Sequence, residues 1–365
     1  MSWYLIDNIQ NLETPFLALY KDRIQQNIKN AIKLIGDVSL LRPHAKTHKM
    51  TEVSRMLMDA GISKFKCATI AEAEMLAMAG AIDVLIAYQP VGPATKRLAL
   101  LTQLYPATSF SCVLDHHDAA VQLSQVFEAA DAVFPVFIDL NTGMNRTGII
   151  PSKAIALFEH IQQLKGLEFR GIHFYDGHVL DTDVEQRQYK SDEGFQHALN
   201  IISAIESSLK RPVIVVGGGS PSFPTHAKRH IECSPGTFVF WDWGYKQHFP
   251  DEPFELAALV VTRVISIVNN ELITTDLGYK AVASENPLPR VHFLNAPDAR
   301  PVSQSEEHLV VKVADSSKYA IGDTLYGVPV HICPTVALYA KAAVIENGKF
   351  SAAWKVIARD RNINI

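Results

Sequence analysis

The sequence predicts a (β/α)8 barrel followed by a mainly β domain, and two observations predict it. Up to about Tyr245, short apolar runs alternate with segments of helical spacing; beyond it, paired strands and tight turns take over. Alternating strands and helices imply a parallel sheet, because each strand must return to the same edge through a crossover. Eight strands within roughly 200 residues suit a closed barrel better than an open doubly wound sheet.

The strands are read at VSLLRP (38–43), KFKCAT (64–69), DVLIAY (83–88), TSFSCVL (108–114), VFPVFIDL (133–140), EFRGIHFY (168–175), PVIVVGG (212–218) and HIECSPG (230–236). Each is a short apolar run, rich in β-branched or aromatic residues, as a doubly buried strand should be. Between them the apolar positions of 51–61, 71–80, 94–105, 117–130, 152–164 and 192–209 recur with helical spacing. Gly61 and Gly80 stand where such helices stop. In the second domain a hairpin is expected to turn at Asn269-Asn270, and another at ENGK (346–349). The boundaries are set at 14–245 for the barrel and 246–365, with about 1–13, for the β domain.

The chain has 365 residues, enough for one large and one smaller core. A net charge of −4 with scattered basic residues gives no footprint for nucleic acid or an anionic membrane surface. The four cysteines, Cys67, Cys112, Cys233 and Cys333, form no CxxC pair, which points to reduced thiols. The start, MSWYLIDNIQNLETPF, carries an Asp and a Glu and does not read as a signal peptide, and no apolar run approaches a membrane span. A cytoplasmic enzyme is the expectation.

Barrel enzymes carry their chemistry at the C-terminal ends of the strands. Polar residues gather there: His44, Lys46 and His48 after the first strand, Arg146 in NTGMNRTG after the fifth, and Tyr175 and His178 in HFYDGH after the sixth. The seventh is followed by GGGSPSF and the eighth by SPGTFVF. Pyridoxal phosphate needs this set: an imine-forming lysine, a partner for the ring nitrogen and donors for the phosphate. Lys46, in a buried setting beside two imidazoles, is expected to have a lowered pKa. Gly218, Gly219 and Ser220 offer N–H groups and a hydroxyl, and the N–H groups of Gly236 and Thr237 can close the cradle. Arg146 can only donate to the ring nitrogen. In the second domain His331 and Cys333 are two apart and share one face if HICPT is a strand. Imidazole and thiolate suit zinc, although a buried cysteine beside a satisfied histidine would read the same way.

Taken together, RPHAKTHK, NTGMNRTG, GIHFYDGH, VVGGGSPSF, ECSPGTFVFWD, TDLGYKA and HICPTVALY resemble the alanine-racemase-like (fold type III) pyridoxal enzymes, within them the D-threonine aldolase and D-serine dehydratase family. The resemblance runs along nearly the whole chain. It implies that Lys46 anchors the cofactor, that Arg146 and Tyr175 line its ring, and that Gly218, Gly219 and Ser220 hold its phosphate. His331 with Cys333 would bind a divalent metal, zinc or else manganese or magnesium. On the residues alone, His44 and His48 are candidates to buttress the loop, and His178 is a candidate for direct contact or for support behind the site. The resemblance further implies a homodimer with the site between the barrel of one subunit and the β domain. The implied activity is a lyase on a D-3-hydroxy amino acid. Family dehydratases typically carry Cys at the second metal position and aldolases Asp, so Cys333 favours a D-serine-dehydratase-like reaction over a D-threonine or D-3-hydroxyaspartate aldolase. An amino acid racemase would need a second base opposite the cofactor and no metal pair.

Overall fold

The computed structural model describes residues 2–365, and contacts divide the chain into two compact units. One comprises 31–46, 51–236 and 360–365; the other comprises the chain up to Asn30, 47–50 and 237–359. Along the chain come β1 (Phe16–Tyr20), α1 (Lys21–Ile35), α2 (Thr51–Asp59), β2 (Lys64–Cys67), α3 (Ile70–Ala79), β3 (Asp83–Ile86), α4 (Pro93–Leu104), β4 (Ser109–Leu114) and α5 (His117–Ala129). They continue with β5 (Phe134–Leu140), α6 (Pro151–Ile161), β6 (Leu167–Phe174), α7 (Val184–Leu209), β7 (Ile214–Gly217), α8 (Phe223–Ala227) and β8 (Glu232–Cys233).

Strands β2 to β8 form one parallel sheet in sequence order. The expected strand 38–43 is largely absent as a strand. Residues Val38–Leu40 make a turn of 3-10 helix capped by the Asp37 carboxylate, which accepts from Ser39 N–H. From Leu41 the backbone is extended, but Pro43 has no N–H to donate, so the ladder shrinks to two isolated bridges, Leu41 to Cys233 and His44 to Lys66. Those bridges close the barrel. Arg42 N–H donates to Cys233 O (2.9 Å) and His44 N–H to Pro235 O (2.9 Å); on the other side Ala45 N–H donates to Lys66 O (2.8 Å) and Lys66 N–H to Pro43 O (2.9 Å). Inside, Leu85, Val113, Phe137 and Val216 pack from β3, β4, β5 and β7. Two helices differ from the sequence reading. In α1 a mainly polar segment places Ile24, Ile28, Ala31 and Ile35 on one buried stripe. Helix α7 begins well before residue 192, where the Asp183 carboxylate accepts from Gln186 N–H.

The other unit adds α9 (Trp243–His248), β9 (Ala258–Asn269), β10 (Leu272–Thr275), β11 (Val291–Phe293), β12 (Arg300–Gln304), β13 (Leu309–Lys312), β14 (Thr324–Pro329), α10 (Ile332–Ala337), β15 (Lys341–Glu346) and β16 (Lys349–Lys355). Its sheet runs β12-β13-β10-β9-β1-β15-β16, with β14 pairing β9 and β11 pairing β14. Strand β1 lies antiparallel to β9 and parallel to β15. The β15–β16 hairpin turns through Asn347 and Gly348, both at positive φ, as ENGK suggested. HICPT is not a strand. His331 stands at the N-cap position of α10 without a capping side-chain bond, the buried Asp242 carboxylate accepts from Ile332 N–H (3.1 Å), and Pro334 in the first turn has a φ already suited to a helix. Among the described residues, no helix is long and apolar enough to cross a membrane.

Candidate active site

At the C-terminal ends of the barrel strands lies a cavity of about 630 Å³, lined by Lys46 and His44, Lys66 of β2, Asp139 of β5, Arg146 and Thr147 of the loop after it, and His173 and Tyr175 at the end of β6. The Tyr175 ring is its centrepiece. Lys46 Nζ lies 5.7 Å from the ring centroid, Lys66 Nζ 5.8 Å and Arg146 Cζ 5.0 Å. Cations over an aromatic face are favourable, so one ring gathers two amines and a guanidinium around one space. The ring fits because its neighbours lack side chains. A Cβ on Gly177 would come within 2.3 Å of the ring and one on Gly219 within 2.7 Å.

Lys46 is half-buried. Its two neighbouring imidazoles hold the loop: His44 Nδ1 accepts from Lys46 N–H (3.3 Å) and His48 Nδ1 from Met50 N–H (3.1 Å). Burial pushes the pKa of His48 down to about 3, so its ring is neutral. Arg146 stands in a loop tied by the Asn141 side chain, whose Oδ1 accepts from Gly143 N–H (3.0 Å) and Asn145 N–H (3.2 Å). Exposed His178 packs beside Gly143, where a Cβ would sit 2.9 Å from its Nε2.

The glycine loop is held from beneath. Asp176 Oδ1 accepts from Ser222 Oγ (2.7 Å) and Oδ2 from His226 Nε2 (2.8 Å), and Ser222 Oγ in turn accepts from Gly219 N–H (3.3 Å). Burial alone would raise the Asp176 pKa, but His226 and Ser222 outweigh it and hold the carboxyl at about 2. Gly218 has φ +71°, and a Cβ there would meet the His226 ring at 2.4 Å. Gly236 N–H donates to Ser220 Oγ (3.3 Å), which joins the end of β8 to this loop. Between β8 and Gly236, the buried Ser234 Oγ has no hydrogen-bond partner among the described residues.

Sequence reasoning passed over the most perturbed amine. Lys66 is 2% exposed, and burial, then the charge of Lys46, bring its pKa down to about 7 against the pull of Asp139 and Asp176. Its Nζ lies 3.5 Å from His173 Nε2, and His173 Nδ1 lies 2.7 Å from Asp139 Oδ1. Asp139 Oδ2 also accepts from Thr147 Oγ1 (3.2 Å), so this carboxylate bonds to His173 and Thr147, and no ion pair joins it to Arg146 among the described residues. A lysine at position 66, set between the buried Phe65 and Cys67 in the middle of KFKCAT, was the available signal.

In the β unit, Cys333 Sγ lies 3.1 Å from Thr47 Oγ1 and 3.5 Å from Thr237 Oγ1. In the chain these threonines directly follow Lys46 and Gly236. The His331 ring bonds the Cys333 side chain, and its Nδ1 lies 2.6 Å from Glu285 Oε1. Burial opposes a charge on His331, yet Cys333, Asp242 and Glu285 raise its pKa to about 9. An imidazole beside a thiol is a donor pair whose chemistry suits a divalent cation. Glu285 orients the imidazole through Nδ1, which leaves Nε2 for a metal. Among the described residues no group of three or more His, Cys, Asp or Glu could hold a metal ion; a metal held by His331 and Cys333 alone would keep positions open. The barrel cavity likewise fits pyridoxal phosphate with an amine and an aromatic face; Gly218, Gly219, Ser220, Gly236 and Thr237 are not among the residues lining it, but Gly219 packs on the same Tyr175 ring, where a Cβ would obstruct.

Residues 19–242 match the family described as alanine racemase, N-terminal domain, and residues 257–345 the family described as putative serine dehydratase domain. A D-threonine aldolase of Arthrobacter sp. is 28% identical over 97% of this chain and 94% of its own length. A D-threo-3-hydroxyaspartate dehydratase of Delftia sp. is 24% identical over 91% and 94%. The solved D-threonine aldolase from Filomicrobium marinum superposes with a TM-score of 0.88 at 26% identity, covering 96% of both chains.

Proposed function

The chain belongs to the alanine-racemase-like family of pyridoxal-phosphate-dependent enzymes, and from that membership we propose a lyase that cleaves a D-3-hydroxy amino acid by dehydration to a 2-oxo acid and ammonia. The observation that carries the choice of dehydration is the His331–Cys333 pair. A D-threo-3-hydroxyaspartate dehydratase has been solved with a histidine replaced by alanine and, two positions on, with a cysteine replaced by alanine, the latter in a metal-free form. The same spacing stands here at 331 and 333, with the two side chains in contact.

In this reading Lys46 holds the cofactor's aldehyde, Gly218, Gly219, Ser220 and Gly236 cradle its phosphate with Thr237 beside them, and Arg146 and Tyr175 flank its ring. Pyridoxal phosphate, once bound, supplies an electron sink for the charge left at Cα. Lys46, at the cavity, would be the base for the Cα proton. His331 and Cys333 would hold a divalent metal, zinc by donor type, which would supply Lewis-acid chemistry. The protein works as a cytoplasmic homodimer on a small D-amino acid. A retro-aldol reaction is the second reading, favoured by the aldolase names of the relatives at 28% identity.

The test is a product assay on purified protein with D-serine, D-threonine and D-threo-3-hydroxyaspartate. Dehydration gives 2-oxo acid with ammonia, retro-aldol cleavage gives glycine with an aldehyde, and racemisation gives the L-isomer. EDTA should reduce turnover by at least about 100-fold, with zinc, manganese or magnesium restoring it. Borohydride reduction should leave the cofactor on the Lys46 peptide; a tag elsewhere, or none, overturns the proposal.

A further inference from the structure

Lys66 sits inside the barrel, with its amine facing the cavity that Lys46 also lines. It has no ion pair among the described residues, and a buried ammonium without a carboxylate is costly. Behind it stands a histidine fixed by an acid. A carboxylate at Asp139 can only accept, so His173 carries its proton on Nδ1 and turns the Nε2 lone pair toward Lys66 Nζ, 3.5 Å away. One hydrogen of the amine is thereby directed at His173, and the other two positions on nitrogen are left for the cavity. Burial also lowers the His173 pKa, in keeping with a neutral ring.

We propose that Lys66 is a second catalytic amine, moving the proton of the substrate's 3-oxygen while Lys46 handles the proton on Cα, with His173 and Asp139 as its positioning residues. This rests on the lyase reading, in which two protons must move. In dehydration the Cβ–O bond breaks as a Lys66 N–H bond gives its proton to the departing oxygen, so water leaves. The proton that Lys46 has taken from Cα then passes to Lys66 and restores the starting charge. In retro-aldol cleavage neutral Lys66 takes the hydroxyl proton as Cα–Cβ breaks and the carbonyl forms, and that proton returns to Cα through Lys46. The groups facing Lys66 are Arg42, His44 and Lys46 from the closing segment, Asp139 from β5, Arg146 from the following loop, and His173, Tyr175 and Asp176 from β6 and the residues after it. With their charges and its burial, both of its protonation states coexist near neutral pH.

The experiment compares holoenzymes of the wild type, Lys66→Met, Lys66→Arg and His173→Gln by kcat, KM and cofactor absorbance from about pH 6 to 9. Expected are a wild-type limb in kcat with a midpoint near 7, falling with pH for dehydration and rising for retro-aldol cleavage, and a matching small change in absorbance. Lys66→Met should lose about 100-fold or more in kcat with little change in KM, and lose both pH transitions. Lys66→Arg keeps the charge but cannot titrate, so it should lose the transitions too, while His173→Gln should move their midpoint. Borohydride should still tag Lys46 in each. A Lys66→Met enzyme with wild-type kcat and pH limb overturns the proposal. Should Lys66→Met not load cofactor, a Lys66→Arg enzyme with unchanged kcat and limb does so instead. A wild type that forms no cofactor absorbance band removes the lyase reading itself, a result distinct from either.

Discussion

At the scale of one residue, Lys66 makes a prediction that needs no cofactor. Its folded pKa, about 7, is far below the ordinary lysine value of 10.5. A base with a depressed folded value weakens the fold wherever the unfolded chain would be protonated. The penalty is full below about pH 7 and fades as pH rises toward 10.5. Lys66→Met, of similar length and without charge, should therefore stabilise the apoprotein at pH 6.5 by about 2–4 kcal/mol in urea unfolding. The gain should shrink toward zero by about pH 10. A variant less stable than wild type at both pH values would mean the amine is held by something stronger than His173. Stability gained where catalysis is lost is the usual sign of a functional buried charge.

At the scale of an element, the glycine loop after β7 depends on a carboxylate outside it. Asp176 organises Ser222 and His226, which meet Gly218 and Gly219. Its folded pKa lies below the free value, so its contribution is present above about pH 4 and is lost as pH falls through about 2. Asp176→Asn has nearly the same shape but cannot accept from both partners. It should cost about 2 kcal/mol at pH 7, with the gap to wild type closing near pH 2–3, and should weaken pyridoxal phosphate binding measured by fluorescence titration. Unchanged affinity would show that the loop holds its form without this brace. Little of this brace was legible in the sequence. GGGS announces a backbone turn, whereas the aspartate that fixes it lies some forty residues earlier, between Tyr175 and Gly177. The strands at 64–69, 83–88, 108–114, 133–140 and 168–175 could be read because their apolar runs are bounded by turn residues. Lys66 was hidden because KFKC puts two lysines on one face of its strand, and only tertiary packing sends Lys64 to Glu232 and Lys66 into the cavity. HICPT misled for a different reason. The Asp242 carboxylate, distant in the chain, accepts from Ile332 N–H and holds the start of α10, so tertiary context overrode local propensity and chose a helix.

At the scale of the whole barrel, closure is the weak point, because the first strand contributes two bridges where the others contribute ladders. Arg42 makes up the difference. It is 1% exposed, its Nε donates to Glu232 Oε2 of β8 (2.7 Å), and its guanidinium donates to both oxygens of Asp83 on β3 (2.6 and 3.2 Å) and to Phe65 O of β2 (3.3 Å). One side chain on the closing segment thus reaches strands on both sides of the seam. Burial opposes its charge, but Glu232 and Asp83 more than compensate and raise its pKa. Arg42→Met would leave Glu232 buried with Lys64 as its remaining ion partner. The expected loss is about 3–5 kcal/mol in urea unfolding at pH 7, the range for breaking one side of a buried pair. Arg42→Lys, a point charge without the planar fork, should recover less than half of it. A Met variant within about 1 kcal/mol of wild type would place the closing energy in the backbone bridges and the apolar interior, and would make Arg42 dispensable to the barrel.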